Sequence, residues 1–282
     1  MTITLRRGGR TLAPELVQPL DAWTGQAPLL DQLHSGDIGW HLRLADDGVD
    51  DTLVLWERDG RPVAVGLAEG EVVRTAVDPD LDRDDEVAEA LAVFFEGFRY
   101  VDALGGSAVR RLLLGRGWTV DPDPWVLLYR ELTDEDAGRV DPDTRPVDGE
   151  AEVEARVAVQ RSAFAPGSTF RPELWHRMTT GPTYDGRFEM VTWTPDGQAA
   201  AAATGWFAGP GRCAILEPVG THADHRRQGY GTRANLGVMA ALARAGASAI
   251  KVATPASNTG AVAAYESCGL RHVECTTALV HP

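Results

Sequence analysis

Residues 226–231 read Arg226-Arg227-Gln228-Gly229-Tyr230-Gly231 and lie between an apolar run and a helical pattern. The apolar run, residues 214–219, suits a buried strand. The pattern that follows puts Leu236, Met239, Ala240 and Ala243 on one face, and Gly246 suits its stop. A helix N-terminus presents unpaired N–H groups and a partial positive charge, which together attract phosphate. Gly229 and Gly231 carry no Cβ, so an anion can come close to the backbone. Arg226 and Arg227 place two cations beside it, in a chain whose formal net charge is -14. The chemistry expected of this turn is pyrophosphate binding. Just upstream, Glu217 stands in an otherwise apolar strand. A carboxylate there is costly unless it is bonded or faces a wet cleft, and burial would raise its pKa.

Two nucleotide chemistries use such a turn. Residues 229–234 fit the dinucleotide pattern G-x-G-x-x-A. That pattern needs its first Gly directly after a strand and an acidic residue about 20 residues further on. Here a polar turn intervenes, and the next strand, residues 249–254, ends without a carboxylate. The other chemistry comes by resemblance. Arg226, Gly229 and Gly231 match R/Q-x-x-G-x-G/A, and residues 258–270 match N-x-x-A-x-x-x-Y-x-x-x-G-F/L through Asn258, Ala261, Tyr265, Gly269 and Leu270. In this order, after a strand and on a helix, the two motifs resemble those of the GNAT acyltransferase superfamily.

The resemblance implies that acyl-CoA lies in a V-shaped gap beside the central strand. Its pantetheine arm would bond the backbone of Val219, Gly220 and Thr221. Its pyrophosphate would meet Arg226, Arg227, Gln228, Gly229, Tyr230, Gly231 and Thr232, chiefly through N–H groups. Arg226 also fits a solvated or salt-bridged role. Pro218 has no N–H and fits a strand that parts from its neighbour, or a bulge. Asn258 is foremost a helix N-cap, with a CoA contact as an addition. Tyr265 takes the place of the family's general acid, which protonates the departing thiolate; it equally fits a packed helix face with Val262 and Cys268. Glu217 takes the place of a base that deprotonates the acceptor ammonium, directly or through water, with His222 and His225 as alternatives. Cys268 has no paired His-Asp arrangement, so direct transfer is expected rather than an acyl-enzyme. Acceptor recognition is expected within residues 164–184, which offer Phe170, Arg171, Trp175, His176, Met178 and Tyr184.

The 282 residues suffice for two domains, and 44% hydrophobic with 24% charged residues is an ordinary globular composition. No apolar run reaches the roughly 18 residues that span a membrane, and the basic start lacks the apolar region of a signal peptide. Cys213, Cys268 and Cys275 show no C-x-x-C spacing, so neither a disulfide framework nor a metal is expected. A cytoplasmic protein without a nucleic-acid or membrane partner is expected.

The elements that must position these residues read as a duplicated α/β plan with mixed sheets. Residues 14–20 and 28–34 suit short helices, with Trp23 and Trp40 as packing anchors. Residues 52–57 and 62–67 form a hairpin around Asp59-Gly60, followed by a strand at 71–77. Helices are expected over 84–98 and 107–115, and strands at 118–120 and 125–130 would close the unit. A second hairpin, 188–194 and 198–207, turns at Asp196-Gly197. Residues 106–118 overlay 258–270 without a gap. The chain thus resembles two GNAT-like units in tandem: 1–132 a degenerate copy, 133–149 a linker and short first strand, 150–282 the acetyl-CoA-binding unit. Where the second copy has 226–231, the first has Asp78, Asp80, Asp82, Asp84, Asp85 and Glu86 and no Gly-x-Gly. Leu113 stands in place of Tyr265. The function implied is acetyl transfer from acetyl-CoA to a small-molecule amine. The alternatives are a non-catalytic acyl-CoA-binding or regulatory protein and a protein or peptide N-acetyltransferase.

Overall fold

A computed structural model describes residues 2–26, 33–273 and 278–282. The first half runs β1 (Ile3–Gly8), α1 (Ala13–Gln26), α2 (Ser35–His41), α3 (Asp46–Val49), β2 (Leu53–Arg58), β3 (Arg61–Glu69), β4 (Val72–Val77), α4 (Asp85–Phe95), β5 (Tyr100–Asp102), α5 (Ala108–Gly115), β6 (Thr119–Val120) and β7 (Trp125–Glu131). The second runs α6 (Asp134–Gly138), β8 (Thr144–Pro146), α7 (Glu150–Ala163), α8 (Pro172–Thr179), β9 (Glu189–Trp193), β10 (Ala199–Trp206), β11 (Cys213–Thr221), α9 (Tyr230–Arg244), β12 (Ala249–Pro255), α10 (Thr259–Ser267), β13 (Arg271–Val273) and β14 (Ala278–Val280). Most of the helix expected over 28–34, and Cys275, lie outside the described residues.

The hairpins form where turn chemistry demands. Asp59 and Gly60 both take positive φ, 52° and 75°, which matches the twist of β2 and β3. The repeat is visible at the ends of α5 and α10. Each is stopped by a glycine at positive φ, Gly117 and Gly269. Trp118 N–H bonds Leu113 O just as Leu270 N–H bonds Tyr265 O. Leu113 and Tyr265 are therefore structural equivalents.

The described strands form two seven-stranded sheets, ordered β1-β2-β3-β4-β5-β14-β6 and β13-β7-β12-β11-β10-β9-β8. Among the described residues, only β4–β5 and β11–β12 pair in parallel. In the first, Trp56, Val73, Leu91, Phe95 and Leu113 pack under α4 and α5, and α1 and α2 cover the other face. In the second, Leu216, Val238, Leu242, Ile250 and Tyr265 pack under α9 and α10. Trp23 is buried in the α1 cluster, and Trp40 is half-buried against Phe170. No helix among the described residues is long and apolar enough to cross a membrane.

One expectation is corrected. Residues 125–130 do not close the first unit. β7 crosses into the second sheet and pairs along all of β12, from Ala249↔Glu131 to Pro255↔Trp125. In return β14, at the C-terminus, enters the first sheet between β5 and β6. Alternation within each strand is the same whichever sheet receives it, so periodicity carries no trace of the exchange.

The exchange makes the halves interdependent. Leu279 is 0% exposed within the first core. Replacing it with Ala should destabilise that core by about 2–5 kcal/mol, although Leu279 is encoded at the far end of the chain. Urea unfolding followed by tryptophan fluorescence, with Trp56 and Trp118 in that core, measures the loss.

Candidate active site

β11 and β12 pair at only three positions, Cys213↔Ala249, Ala214↔Ile250 and Ile215↔Lys251. Beyond them β12 continues with β7 and β11 continues with β10, so the two central strands part. His222 N–H bonds Ala200 O across β10. With the strand period of two, Gly220 also turns its polar groups to β10, while Val219 and Thr221 turn theirs to the gap. Two of the three expected pantetheine contacts thus face the gap. Gly220 serves packing instead. A Cβ there would lie 2.8 Å from Ala163 Cβ, so its absence lets α7 pack on β11.

At the far end of the gap stands the turn before α9. Gly229 takes φ 83° at the N-cap and Arg227 φ 59°. No side chain caps this helix, and its ladder starts with Arg233 N–H on Gly229 O. The N–H groups of Tyr230, Gly231 and Thr232 precede the ladder, as an anion site requires. A Cβ on Gly231 would lie 2.7 Å from Thr221 Oγ1, so only Gly lets the helix start meet the strand end. Arg226 bonds Ala163 O and ties the turn to α7. Gln228 bonds Asp224 O. Thr232 joins α9 to α10 through Ser267, 2.9 Å away. Asn258 caps α10 by accepting from Ala261 N–H.

Glu217 lies where the strands part. Its carbonyl accepts from Trp206 Nε1. Its Oε2 is enclosed. Burial, then the neighbouring Asp37 carboxylate, push its pKa well above the usual range, and the Arg74 charge only partly opposes this. Asp37, Arg74 and Glu69 all come from the first half of the chain. α2 carries Asp37, whose Oδ2 accepts from His34 N–H at 2.6 Å and whose Oδ1 accepts from Arg74 at 2.8 Å. Arg74 also bonds Glu69, 3.0 Å away, and Glu69 meets His41 at 2.9 Å. Burial alone would raise Glu69; the bond to His41 and the Arg74 charge outweigh it and hold Glu69 down to about 2.

α2 can reach this place because two of its residues have no side chain. A Cβ on Gly36 would lie 2.3 Å from Trp206 Cβ, and one on Gly39 would lie 2.4 Å from the Trp206 ring. Sequence reasoning did not single out Asp37, Glu69, Arg74 or Trp206. The available signal was the run His34-Ser35-Gly36-Asp37-Ile38-Gly39-Trp40-His41, polar in composition yet almost wholly buried.

Tyr265 is 7% exposed, within the cluster that holds Leu128, Leu216 and Val252. Burial, with Cys268 and Glu217 nearby, raises its phenol further, so it stays protonated. Cys268 is buried against Thr232 O, and burial raises its thiol, which disfavours a thiolate nucleophile. His222 and His225 lie at the pyrophosphate end, five or more residues beyond Glu217, or roughly 16 Å along an extended strand.

Residues 164–184 form the wall beside α2. Phe170 and Met178 are buried packing residues. Arg171 lies 3.5 Å from Glu173, and His176 faces Glu150. Trp175 Nε1 and Tyr184 Oη both donate to Glu189 Oε2, at 2.8 and 2.7 Å. Glu189 is itself held by Arg156 in a fully buried ion pair of 2.7 Å. The wall is thus pinned to the sheet by a satisfied polar network.

The first half has the same parting and has filled it. β4 and β5 pair only at Val72↔Tyr100 and Val73↔Val101. Thr75 then bonds Asp102 O, and Ala108 N–H bonds Asp82 O, which leaves a cavity of about 20 Å³. At the start of α4 the Asp84 carboxylate accepts from the N–H groups of Glu86 and Val87 and pairs with Arg58. The N–H groups an anion would need are already satisfied by a side chain.

Residues 159–270 match the family model described as Acetyltransferase (GNAT) family. No curated protein sequence matches the chain. Among solved structures, an acetyltransferase from the GNAT family of Colwellia psychrerythraea is 13% identical, over 99% of each chain, with a TM-score of 0.62. A tandem GNAT protein from the clavulanic acid biosynthesis pathway is 14% identical over 99% of this chain and 98% of its own, with a TM-score of 0.60. A GCN5-related N-acetyltransferase from Sphaerobacter thermophilus is 18% identical over 98% and 94%, with a TM-score of 0.59. These likenesses concern the fold, which is two GNAT-like units in tandem along the whole chain.

The Glu217 environment has a measurable signature. The folded protein holds this proton more tightly than the unfolded chain. The associated stability is complete below the ordinary value of 4.5 and is lost as pH rises through the folded value. Wild type should therefore lose stability relative to Glu217→Gln as pH rises, by up to about 1.4 kcal/mol per pH unit inside that window. Urea titrations of both proteins at several pH values test this; a pH-independent difference would contradict it.

Proposed function

We propose that this chain, whose residues 159–270 match the GNAT family model, transfers an acetyl group from acetyl-CoA to the amine of a small molecule in a ternary complex. The observation that carries this reading is the parting of β11 and β12, open from Glu217 down to the uncapped start of α9. The pyrophosphate meets the N–H groups of Gly229 to Thr232, with Arg226 and Arg227 beside it. The pantetheine arm lies along Val219 and Thr221, which puts the thioester toward Glu217. Ionised Glu217 takes one proton from the acceptor ammonium. The amine attacks the thioester carbon, the C–N bond forms and the C–S bond breaks. Tyr265, protonated, supplies a proton to the departing sulfur and recovers one from the new amide nitrogen. Neither cysteine chemistry nor a metal is needed.

A small acceptor is favoured because the mouth at Glu217 is walled on two sides, by α2 with β3 and β4, and by the segment held through Glu189. The first unit takes no CoA in this reading, since Asp84 occupies its helix start. A second reading, a non-catalytic acyl-CoA binder, is favoured by one feature, the burial of Tyr265 among apolar side chains.

Calorimetry with acetyl-CoA is expected to give one site, abolished in a Gly229→Asp/Gly231→Asp variant; two sites would mean that the first unit also binds. Release of the CoA thiol in the presence of an amine panel separates enzyme from binder. Tyr265→Phe should lower kcat by roughly 100-fold or more with acetyl-CoA affinity unchanged, and unaltered turnover would remove Tyr265 from the mechanism.

A further inference from the structure

α2 runs along β11 toward Glu217. The His34 ring at its N-cap meets Cys213 O, 3.1 Å away, at the start of β11. A Cβ on Gly36 would lie 2.7 Å from Ile215 Cγ2, and one on Gly39 would meet the Trp206 ring, whose Nε1 bonds Glu217 O. Trp40 packs on the cluster of Met178, Trp206 and Ile215. The chain stays helical through Leu42, and Arg43 N–H bonds Trp40 O. Gly36 to Arg43 is then roughly 10 Å of helical rise, against roughly 7 Å of strand from Ile215 to Glu217. Arg43 thus stands at the level where β11 and β12 have parted.

Arg43 is a half-buried cation without an acid. Its guanidinium lies 4.1 Å over the Trp40 ring and donates once, from Nη1 to Trp40 O at 2.8 Å. It makes no ion pair among the described residues. By contrast Arg74 is bonded to Asp37 and Glu69, and Arg156 to Glu189. Burial pulls the Arg43 pKa down, and Glu69 and Glu217 nearby only partly oppose this. Withdrawing a cation from water without an anion is costly. The N–H groups left over on a guanidinium form a planar fork that matches the two oxygens of a carboxylate.

We propose that Arg43 receives the carboxylate of the acceptor, so that the acceptor is a small amino acid in the broad sense, with its amine toward Glu217 and its carboxylate toward Arg43. The proposal rests on the transfer reading of the Glu217 cleft. Trp40, backed by Phe170 at 5.4 Å, holds the guanidinium in place before a ligand arrives, so little ordering is left for binding. Asp37 and Glu69 do not compete for Arg43, since Arg74 and His41 hold them. The two ends of the acceptor are told apart by charge. Arg43 sets specificity and takes no part in bond making.

Release of the CoA thiol is measured with amine pairs in which a methyl group replaces the carboxylate: glycine and ethylamine, 4-aminobutanoate and butylamine, 6-aminohexanoate and hexylamine. In wild type at least one amino acid should exceed its neutral partner about 10-fold or more in kcat/KM, through KM. In Arg43→Gln that ratio should fall toward one, with part of it restored in Arg43→Lys, which keeps the charge and loses the fork. Ratios near one for every pair in wild type overturn the proposal, as does a ratio that Arg43→Gln leaves in place. Should Arg43→Gln not fold, Arg43→Lys carries the comparison, and an undiminished ratio there overturns it. If no amine releases thiol, the transfer reading fails, and calorimetry with the three amino acids decides the anion site separately. Binding weakened in the Arg43 variant supports it; equal binding in both proteins, or none in wild type, overturns it.

Discussion

The parting of β11 from β12 after three residue pairs is the constraint on which the rest depends. A sheet interior normally satisfies every backbone group with its neighbour. Here β12 is held straight by β7 along its full length, and β11 is held by β10, so the strands cannot rejoin. Val219 and Thr221 are left with polar groups toward the gap, which suit an extended ligand that pairs like a strand. Pro218 sits where the β10–β11 register shifts, between Leu216 and Val219, and has no N–H to leave unpaired there. The same parting leaves Glu217 where the strands separate and gives α9 a place to begin.

The two copies answer this constraint in opposite ways. In the first, Thr75 and Ala108 bridge the parted strands and Asp84 caps the helix start. In the second, Gly229 caps with backbone alone and Gly231 makes room for Thr221. The physical difference is small: a carboxylate where there is otherwise a glycine. Its effect on an anion is large, because the carboxylate both satisfies the N–H groups and adds a like charge. Leu113, in place of Tyr265, is fully buried in the first core.

Much of this was legible in the chain. The Gly229–Gly231 turn, the Asn258 cap and the Gly269 stop are local, and local chemistry dictates them. The hairpin turns at Asp59-Gly60 and Asp196-Gly197 are local as well. The repeat showed because 106–118 and 258–270 need the same cap and the same glycine. What escaped was non-local. The exchange of β7 and β14 leaves each strand's own pattern unchanged. Asp37 and Arg74 are 180 and 143 residues from Glu217, and nothing in a one-dimensional pattern brings them together. The edge that Gly220 turns to β10 escaped for a related reason: which strand edge a residue faces depends on register, which His222 and Ala200 set.

The retained first unit then has a mechanical explanation. A charged cluster built from both halves requires the halves to keep one relative geometry. Asp37 is carried by α2 of the first half and Glu217 by β11 of the second sheet, so any sliding between the halves would separate them. Each sheet holds a strand of the other half, which blocks sliding along the strands. Gly36 and Gly39 bring α2 into contact with Trp206, and Trp206 bonds the Glu217 carbonyl. The indole thus touches both α2 and β11. The first half holds Asp37 and Arg74 toward the second, and the strand exchange ties together the sheets that carry the two halves of this cluster.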